Sequence, residues 1–180
     1  MSILKVCRLG HPVLRTEAQQ VSSTVLASPP TQKLIDDMME TMVEYYGVGL
    51  AAPQVHESLA LAVIESHGPR GDIPMTVLVN PAITVLDDEQ VEDWEGCLSI
   101  PDFRGRVPRW RKLRLDALDR NGNKIHFTAE GFFARVIQHE FDHLMGSVYL
   151  DRMQDLKTLC HFAEFQRYWL PDHPPQSGAN

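Results

Sequence analysis

The spacing of apolar residues predicts a long helix in the N-terminal third of the chain. Between Ser28 and Gly47, apolar side chains recur every three or four residues, as on one face of a helix. Ser28 can act as the N-cap, Pro29 suits the first helical position, and Gly47 favours the end of the helix. We expect this apolar face to lie in the core. Its members are Leu34, Ile35, Met38, Met42 and Tyr46.

Short runs of β-prone residues, bounded by Gly, Pro, Asn or Asp, predict several strands. They cover residues 3–9, 59–65, 75–80, 82–86, 111–118 and 124–128. The first run is expected to end in a turn, because Pro12 cannot continue a strand ladder. The last two runs flank Asn121-Gly122, a dipeptide typical of tight turns, so we expect them to form a hairpin.

Two further helices are predicted in the C-terminal third. Residues 130–144 have a helical period and end near Gly146, and residues 154–169 carry apolar side chains at periods of three and four. The apolar residues of the second helix are Leu156, Leu159, Phe162, Phe165 and Trp169. Residues 171–180 are polar and rich in proline, so we expect a disordered tail.

The composition is that of an ordinary globular protein. The 180 residues are 43% hydrophobic and 23% charged, which predicts a single domain over residues 1–170. With 17 basic and 24 acidic residues, the net charge of −7 argues against direct nucleic-acid binding and against an anionic membrane surface. No apolar run approaches the ~20 residues of a membrane span. The three cysteines, Cys7, Cys97 and Cys160, are widely spaced, which favours a reducing, cytoplasmic location.

The segment His139-Glu140-Phe141-Asp142-His143 is the strongest chemical signal in the sequence. Residues four apart share one face of a helix, so both imidazoles can reach one metal ion, and Glu140 can hold a water beside it. A catalytic site of this kind needs three protein ligands and an open position. The pattern therefore predicts a metallohydrolase whose third ligand lies elsewhere in the chain.

Spacing alone leaves the third ligand open. Gly146 fits the metzincin pattern, but Tyr149 stands where that pattern has its third histidine. Glu164 lies 21 residues after the second histidine, a spacing that a gluzincin-type metallopeptidase would use. Cys97 is another candidate, because a metal would hold its thiol deprotonated. A closed structural zinc site with a fourth ligand such as Cys160 is a further alternative.

Three segments of the sequence form a set of ordered motifs. They are GVGLAAPQ at residues 47–54, EGCLS at residues 95–99 and QHEFDHLMG at residues 138–146. Together they resemble the peptide deformylase family of bacteria and organelles, and with the similar segment at residues 11–15 the resemblance covers about residues 3–153. It implies an α+β fold, in which the HExxH helix packs against short, mainly antiparallel β-sheets, with N-terminal and C-terminal helices.

The resemblance also implies a reaction and a metal. The enzyme is expected to remove the N-formyl group from the N-terminal formylmethionine of newly made polypeptides and to release formate. Cys97, His139 and His143 become the metal ligands, and Glu164 becomes a surface carboxylate. Fe²⁺ is the usual metal of the family, and Zn²⁺, Ni²⁺ or Co²⁺ can also occupy its site.

Roles for the residues around the metal follow from the same resemblance. Glu140 is expected to act as the acid and base, while Gln54 and the backbone N–H of Leu98 donate to the oxyanion. Glu95 is expected to pair with Arg109 and to support the loop that carries the cysteine ligand.

The expected substrate-binding residues come from several parts of the sequence. They are Val48, Gly49, Arg104, Phe132, Arg135 and Val136. The last three precede the first histidine ligand on the same helical face, so we expect them to line a pocket for the methionine side chain. Arg104 lies where the family has an arginine that contacts the substrate, and Gly49 would let an extended peptide approach. Trp94 and Arg135 depart from many family members.

The implied partners are N-formylmethionyl nascent polypeptides. Ribosome docking through a C-terminal helix is not supported, because Asp155 and Glu164 balance Lys157 and Arg167 in residues 154–169. Six basic residues lie within residues 104–114. We interpret them as the solvated face of a sheet rather than as an RNA-binding patch.

Overall fold

The computed structural model describes residues 2–170, which form two antiparallel sheets with a helix packed between them. Strands β1 (Gly49–Ala51), β2 (Leu61–Ser66), β3 (Ile73–Val85), β6 (Lys112–Leu118) and β7 (Lys124–Glu130) form one sheet in this order. Strands β4 (Gln90–Cys97), β5 (Ile100–Trp110) and β8 (Cys160–His161) form the other. The α-helices are α1 (Ser23–Leu26), α2 (Pro29–Glu44), α3 (Phe132–Leu144) and α4 (Phe162–Tyr168). The α+β class with antiparallel sheets is confirmed.

Helix α2 agrees with its predicted boundaries and apolar face. The Ser28 hydroxyl accepts a hydrogen bond from the backbone N–H of Thr31 and caps the helix. The side chains of Ile35, Met38 and Met42 are fully buried, and their cluster includes residues of β1 and β2. Tyr46, at φ 55°, leaves the helical conformation just before Gly47. The exposed Tyr46 is therefore not part of the core as expected.

The predicted hairpin is present as β6 and β7, which pair from Lys112 with Glu130 to Leu118 with Lys124. The two runs predicted at residues 75–80 and 82–86 form one strand, β3. A register shift between Val79 and Ala82, next to Asn80 at φ 50°, bends this strand without ending it. Its two parts therefore look like separate strands in the sequence.

The predicted strand at residues 3–9 is wrong. This segment makes single backbone hydrogen bonds to different elements, from Cys7 to Gln54 and from Leu9 to Ser99. A strand needs a continuous ladder with one neighbour, which this path does not offer. Helix α3 also begins two residues later than residue 130, because Gly131 has φ 60°.

The predicted continuous helix at residues 154–169 is wrong as well. The segment contains a 3₁₀ turn at Leu156–Thr158, strand β8 and the short helix α4. Asp155 caps the 3₁₀ turn, and the ring of His161 caps α4 by accepting from the N–H of Ala163. These local hydrogen bonds and the pairing of β8 with β5 replace helical ones. Residues 171–180 lie outside the described part of the chain, and a single domain over 1–170 stays a prediction.

Strands β4 and β5 form the long hairpin that carries Cys97 at its turn. The apolar pattern does not predict β4, because charged residues occupy much of it. Within residues 2–170, no helix has the length and apolar character to cross a membrane.

Candidate metal centre

Helix α3 and the turn between β4 and β5 bring Cys97, His139 and His143 together. The two histidines lie one helical turn apart on α3, and Cys97 is the last residue of β4. Cys97 Sγ lies 3.3 Å from His143 Nε2. One potential ligand atom from each of the three side chains lies within 4.8 Å of the other two. This spacing suits a single ion.

The alternative third ligands lie elsewhere. Glu164 is exposed on α4, and neither it nor Cys160 belongs to the group of close ligand atoms. Cys160 instead pairs with Arg104 in the register of β5 and β8. Tyr149, at the position of the metzincin histidine, is buried with its ring centroid 6.3 Å from that of His139. The described residues therefore give the gluzincin and closed-zinc alternatives no support.

The chemistry of the three side chains fits one divalent ion. Burial raises the pKa of the Cys97 thiol, but the neighbouring His143 and His139 outweigh burial and hold this pKa well below its usual value. A thiolate with two imidazoles binds several divalent metals. Beside them, Glu140 Oε2 is buried without a hydrogen-bond partner among the described residues. Buried acceptors are rarely left unpaired, so this oxygen is placed to receive a proton donor in the site.

Glu95 fixes the orientation of His139. Its Oε2 accepts a hydrogen bond from His139 Nδ1 at 2.9 Å, which leaves Nε2 of that ring free as a ligand. Arg109 donates to the same carboxylate from Nε at 2.9 Å and from Nη2 at 3.0 Å. Burial raises the pKa of Glu95, but the hydrogen bonds from His139 and Arg109 outweigh burial and lower it far below its usual value. The implied pair of Glu95 and Arg109 is thus present and buried.

Gly49 lets β1 lie directly against the carboxylate of Glu140. A Cβ atom at this position would collide with Glu140 Oε1 and would lie 2.6 Å from its Cδ. Burial raises the pKa of Glu140 above its usual value, and the nearby His139 and His143 oppose that shift. A carboxylate with a raised pKa is better matched to proton transfer near neutral pH.

Gln54 lies beside Cys97, in the 3₁₀ helix Ala52–Val55. Its Oε1 accepts from the backbone N–H of Ala51 at 2.8 Å, which fixes the direction of the amide. Its Nε2 lies 3.5 Å from Cys97 Sγ and donates to Ser99 Oγ at 3.2 Å. The amide donors therefore face the ligand group. Leu98 follows Cys97 directly and lines the same cavity.

A cavity of about 660 Å³ opens beside the three ligands. All six expected substrate-binding residues line it: Val48, Gly49, Arg104, Phe132, Arg135 and Val136. Val136 is buried and Phe132 is partly buried, as expected for the wall of an apolar pocket. The volume suffices for a methionine side chain and several peptide groups.

Arg135 lines the cavity as expected, and its guanidinium bonds to the neighbouring hairpin. Its Nη1 donates to Glu95 Oε1 at 2.7 Å and to the carbonyl of Val107 at 2.8 Å. The sequence places Arg135 on the correct helical face, but a long side chain can carry its charged end away from that face.

Arg104 lies at the mouth of the cavity, held from two sides. Its guanidinium carbon is 4.4 Å from the ring centroid of Phe162, and its Nη1 donates to the carbonyl of Phe103 at 2.7 Å. A Cβ atom at Gly96 would collide with this guanidinium. Gly96 thus permits the position of Arg104.

Arg70 and the contacts of Trp94 around the cavity are not predicted by the sequence motifs. Arg70 lines the cavity, stacks over Phe132 at 4.2 Å and pairs with Asp93. Trp94 lines the cavity and also packs against Phe165 of α4 at 5.0 Å between ring centroids. No local pattern reveals these contacts, because the residues meet only through the tertiary fold.

The fold and the Cys-His-His group define a hydrolase of the metal-dependent type, and the comparisons with known proteins agree. The sequence profile of the family described as "Polypeptide deformylase" matches residues 3–159. Peptide deformylase 1 of Nitrosomonas europaea is 44% identical over 160 residues, which cover 86% of this chain and 90% of the relative. Peptide deformylase of Desulfotalea psychrophila is 42% identical over 173 residues, or 95% of this chain and 99% of the relative.

Solved structures give the same result. The Met-Ala-Ser bound class I type b peptide deformylase from Acinetobacter baumannii has a TM-score of 0.81 and 38% identity, covering 85% of this chain and all of that one. The peptide deformylase from Thermotoga maritima has a TM-score of 0.78 and 35% identity, covering 86% of this chain and all of that one. The chain belongs to the polypeptide deformylase family, as the three motifs predict. It is therefore a hydrolase that removes N-formyl groups from newly made polypeptides.

Proposed function

We propose that Cys97, His139 and His143 hold one divalent ion, at which this chain hydrolyses the formyl amide of N-formylmethionyl polypeptides. The observation that carries the proposal is the close group of a thiol with a lowered pKa and two imidazoles beside the unpartnered Glu140 Oε2. When bound, such an ion lowers the pKa of a coordinated water toward neutrality and polarises a carbonyl oxygen.

Glu140 moves the proton in this proposal. Its Oε2 takes a proton from the attacking water and later delivers it to the departing amine, which becomes the free amino terminus. The raised pKa of this buried carboxyl supports both steps, because the group must bind and release a proton near neutral pH. Formate is the other product.

Gln54 and Leu98 stabilise the charge that develops on the formyl oxygen. The Gln54 amide is held by Ala51 and Ser99 with its Nε2 directed toward the ligand group. The backbone N–H of Leu98 is the second donor. Donors that are fixed before the reaction stabilise the oxyanion without reorganisation.

The methionine side chain packs against Val48, Phe132 and Val136, all of which line the cavity. The peptide lies extended beside Gly49, and Arg104 contacts its backbone at the mouth. The tripeptide named in the Acinetobacter baumannii structure supports a peptide-sized ligand for this fold. Arg135 also lines the cavity, but its guanidinium binds Glu95, so we assign it no contact with the methionine side chain.

Fe²⁺ is the proposed metal, on the basis of the family resemblance, with Zn²⁺, Ni²⁺ or Co²⁺ as possible occupants of the same donor set. Cys7, Cys97 and Cys160 are free thiols, which supports a reducing cytoplasm where nascent chains are made. We propose no membrane contact and no direct nucleic-acid binding; ribosome association is possible, but the sequence does not support it.

A pair of variants tests the ligand assignment. Cys97→Ala should abolish metal binding and formate release from a formyl-Met peptide, while Glu164→Ala should keep both near wild type. Metal analysis of protein purified without oxygen gives the first readout and a formate assay the second. Loss of metal in Glu164→Ala with retention in Cys97→Ala would overturn the proposed site.

A further inference from the structure

Arg135 is a buried arginine whose contacts all lead to the framework around the metal centre. It is 6% exposed. Besides its contacts with Glu95 and Val107, its Nη2 donates to the carbonyl of Val91 at 2.5 Å. Val91 lies on β4 and Val107 on β5, so one side chain of α3 contacts both strands of the hairpin that carries Cys97.

The carboxylate of Glu95 is fully saturated when Arg135 is included. Oε1 accepts from Arg109 Nε and from Arg135 Nη1, and Oε2 accepts from Arg109 Nη2 and from His139 Nδ1. A carboxylate has about four acceptor sites, so each site has one donor. A saturated carboxylate has one preferred orientation, whereas loss of one donor leaves a buried acceptor unpaired.

Arg109 alone cannot supply this restraint. Its third nitrogen, Nη1, donates to Asp142 Oδ2 at 2.5 Å, so its guanidinium is shared between two carboxylates. Arg152 pairs with Asp142 as well but does not reach Glu95. Arg135 is thus the second cation on Glu95 and is not shared with another carboxylate among residues 2–170.

We propose that Arg135 is a positioning residue for the metal centre: it fixes the Glu95 carboxylate that orients His139, and it ties the Cys97 hairpin to α3. This inference rests on the proposed function, because it assumes that Cys97 and His139 are ligands of one ion. It assigns Arg135 to the metal framework rather than to selection of the substrate side chain. Partners of ligating histidines commonly contribute ~10–100-fold to metal affinity or activity.

The test compares neutral variants of Arg135 with a matched variant on the same helix. Arg135→Met and Arg135→Gln remove the charge. Gln138→Met removes a side chain that is also buried and also bonds to β5, through Trp110, but does not touch Glu95. Co²⁺ is the probe, with affinity measured by chelator competition and coordination followed by its absorption spectrum.

We expect both neutral variants of Arg135 to bind Co²⁺ ~10–100-fold more weakly than wild type, and Gln138→Met to stay within about threefold at equal folded fraction. In the Co²⁺ enzyme, kcat should fall while KM and the preference for formyl-Met over formyl-norleucine peptides stay unchanged. Wild-type Co²⁺ affinity in the neutral variants, or a changed side-chain preference with unchanged affinity, would overturn the proposal.

Arg135→Lys tests the positioning role of this residue if neither neutral variant folds. Lysine can donate to Glu95 but cannot also reach the carbonyls of Val91 and Val107 as a fork, so an intermediate loss of Co²⁺ affinity, about 3–10-fold, is expected. Wild-type affinity in this variant would contradict the role of Arg135. Absence of formate release by the wild-type protein would instead contradict the proposed function, so the two failures are distinguishable.

Discussion

The two sheets contact helix α3 through opposite kinds of side chain. The five-stranded sheet and α3 share an apolar cluster that includes Ile64, Leu78, Leu113, Leu115, Ala134 and Ile137. The three-stranded sheet meets α3 through buried charges, namely Glu95 and Arg109 on the strands and Arg135 and Asp142 on the helix. One face of the helix is held by apolar area and the other by directed hydrogen bonds.

This difference suggests that the stability of the fold and the positions of the metal ligands depend on different contacts of α3. Apolar burial is non-directional and adds stability with the area removed from water. Buried ion pairs contribute little net stability, because desolvation offsets much of their attraction. They do fix the direction of each polar group, and the charged face contains the residue that orients His139. We therefore infer that the apolar side mainly stabilises the fold and that the charged side mainly positions the metal ligands.

Glu140→Gln should give the largest effect, because we propose that this carboxylate transfers the proton and the amide fills nearly the same space. The amide has nearly the same volume but cannot carry the proton, so kcat should fall ~10²–10⁴-fold. Metal content and the free energy of unfolding should be retained. Formate assays on metal-analysed protein measure the rate, and near wild-type turnover in a loaded sample would remove Glu140 from the mechanism.

Met38→Ala tests whether apolar packing is independent of the ligand geometry, at a cluster of α2 with the five-stranded sheet that contains no residue of α3. Met38 is fully buried, so the truncation should lower the free energy of unfolding by ~2–5 kcal/mol. Metal affinity and kcat per folded molecule should stay within about twofold, because changes at sites that share no partners act independently. Urea unfolding measures stability.

The control for Met38→Ala is Val43→Ala on the same helix. Val43 is 56% exposed, so this change should stay within about 0.5 kcal/mol. A Met38→Ala variant that kept its stability but lost metal affinity would break the separation between the two sides.

Gly49→Val tests the point where the five-stranded sheet touches the catalytic group. Its Cβ would collide with the Glu140 carboxylate, and a displacement of about 1 Å in a reacting group can lower the rate ~10²-fold. The three atoms nearest this Cβ all belong to Glu140 and none to the proposed ligands, so metal content should be unchanged. Gly68→Val is the matched control, because a Cβ there meets no atom within 4 Å. Normal turnover in Gly49→Val would contradict the close approach.

The sequence predicts the apolar side of the molecule better than the charged side. Helix α2 and the β6–β7 hairpin follow from hydrophobic period and turn residues, because local preferences and burial agree there. The three motifs predict which side chains gather around Cys97, through the resemblance. The spacing of α3 correctly places Arg135 beside the cavity, but it does not show that its guanidinium reaches Glu95.

The errors at both ends of the chain have a common physical cause. Residues 3–9 and 154–169 have apolar patterns of strand and helix, but their backbone groups bond to other elements or to capping side chains. Asp155 and His161 each start a new local structure inside the predicted helix. Such competition between side-chain and backbone hydrogen bonds is decided by tertiary contacts, which periodicity does not describe.

Trp169→Ala should give the smallest effect, and it tests whether α4 contributes only to stability. Helix α4 packs against the three-stranded sheet through aromatic rings rather than ion pairs, with Trp94 at 5.4 Å from Trp169 and 5.0 Å from Phe165 between centroids. Aromatic pairs contribute about 0.5–1.5 kcal/mol beyond area burial, and Trp169 is 57% exposed. The free energy of unfolding should therefore fall by about 1 kcal/mol.

Hydrogen exchange within α4 should accelerate in the same variant, because this short helix has no buried residue, while metal affinity should not change. Leu156→Ala, at a residue 68% exposed, is the control and should stay within about 0.5 kcal/mol. Loss of metal in Trp169→Ala would mean that α4 belongs to the positioning framework. Retention of metal with faster local exchange would instead limit that framework to the contacts of Glu95, because α4 would then open without disturbing His139.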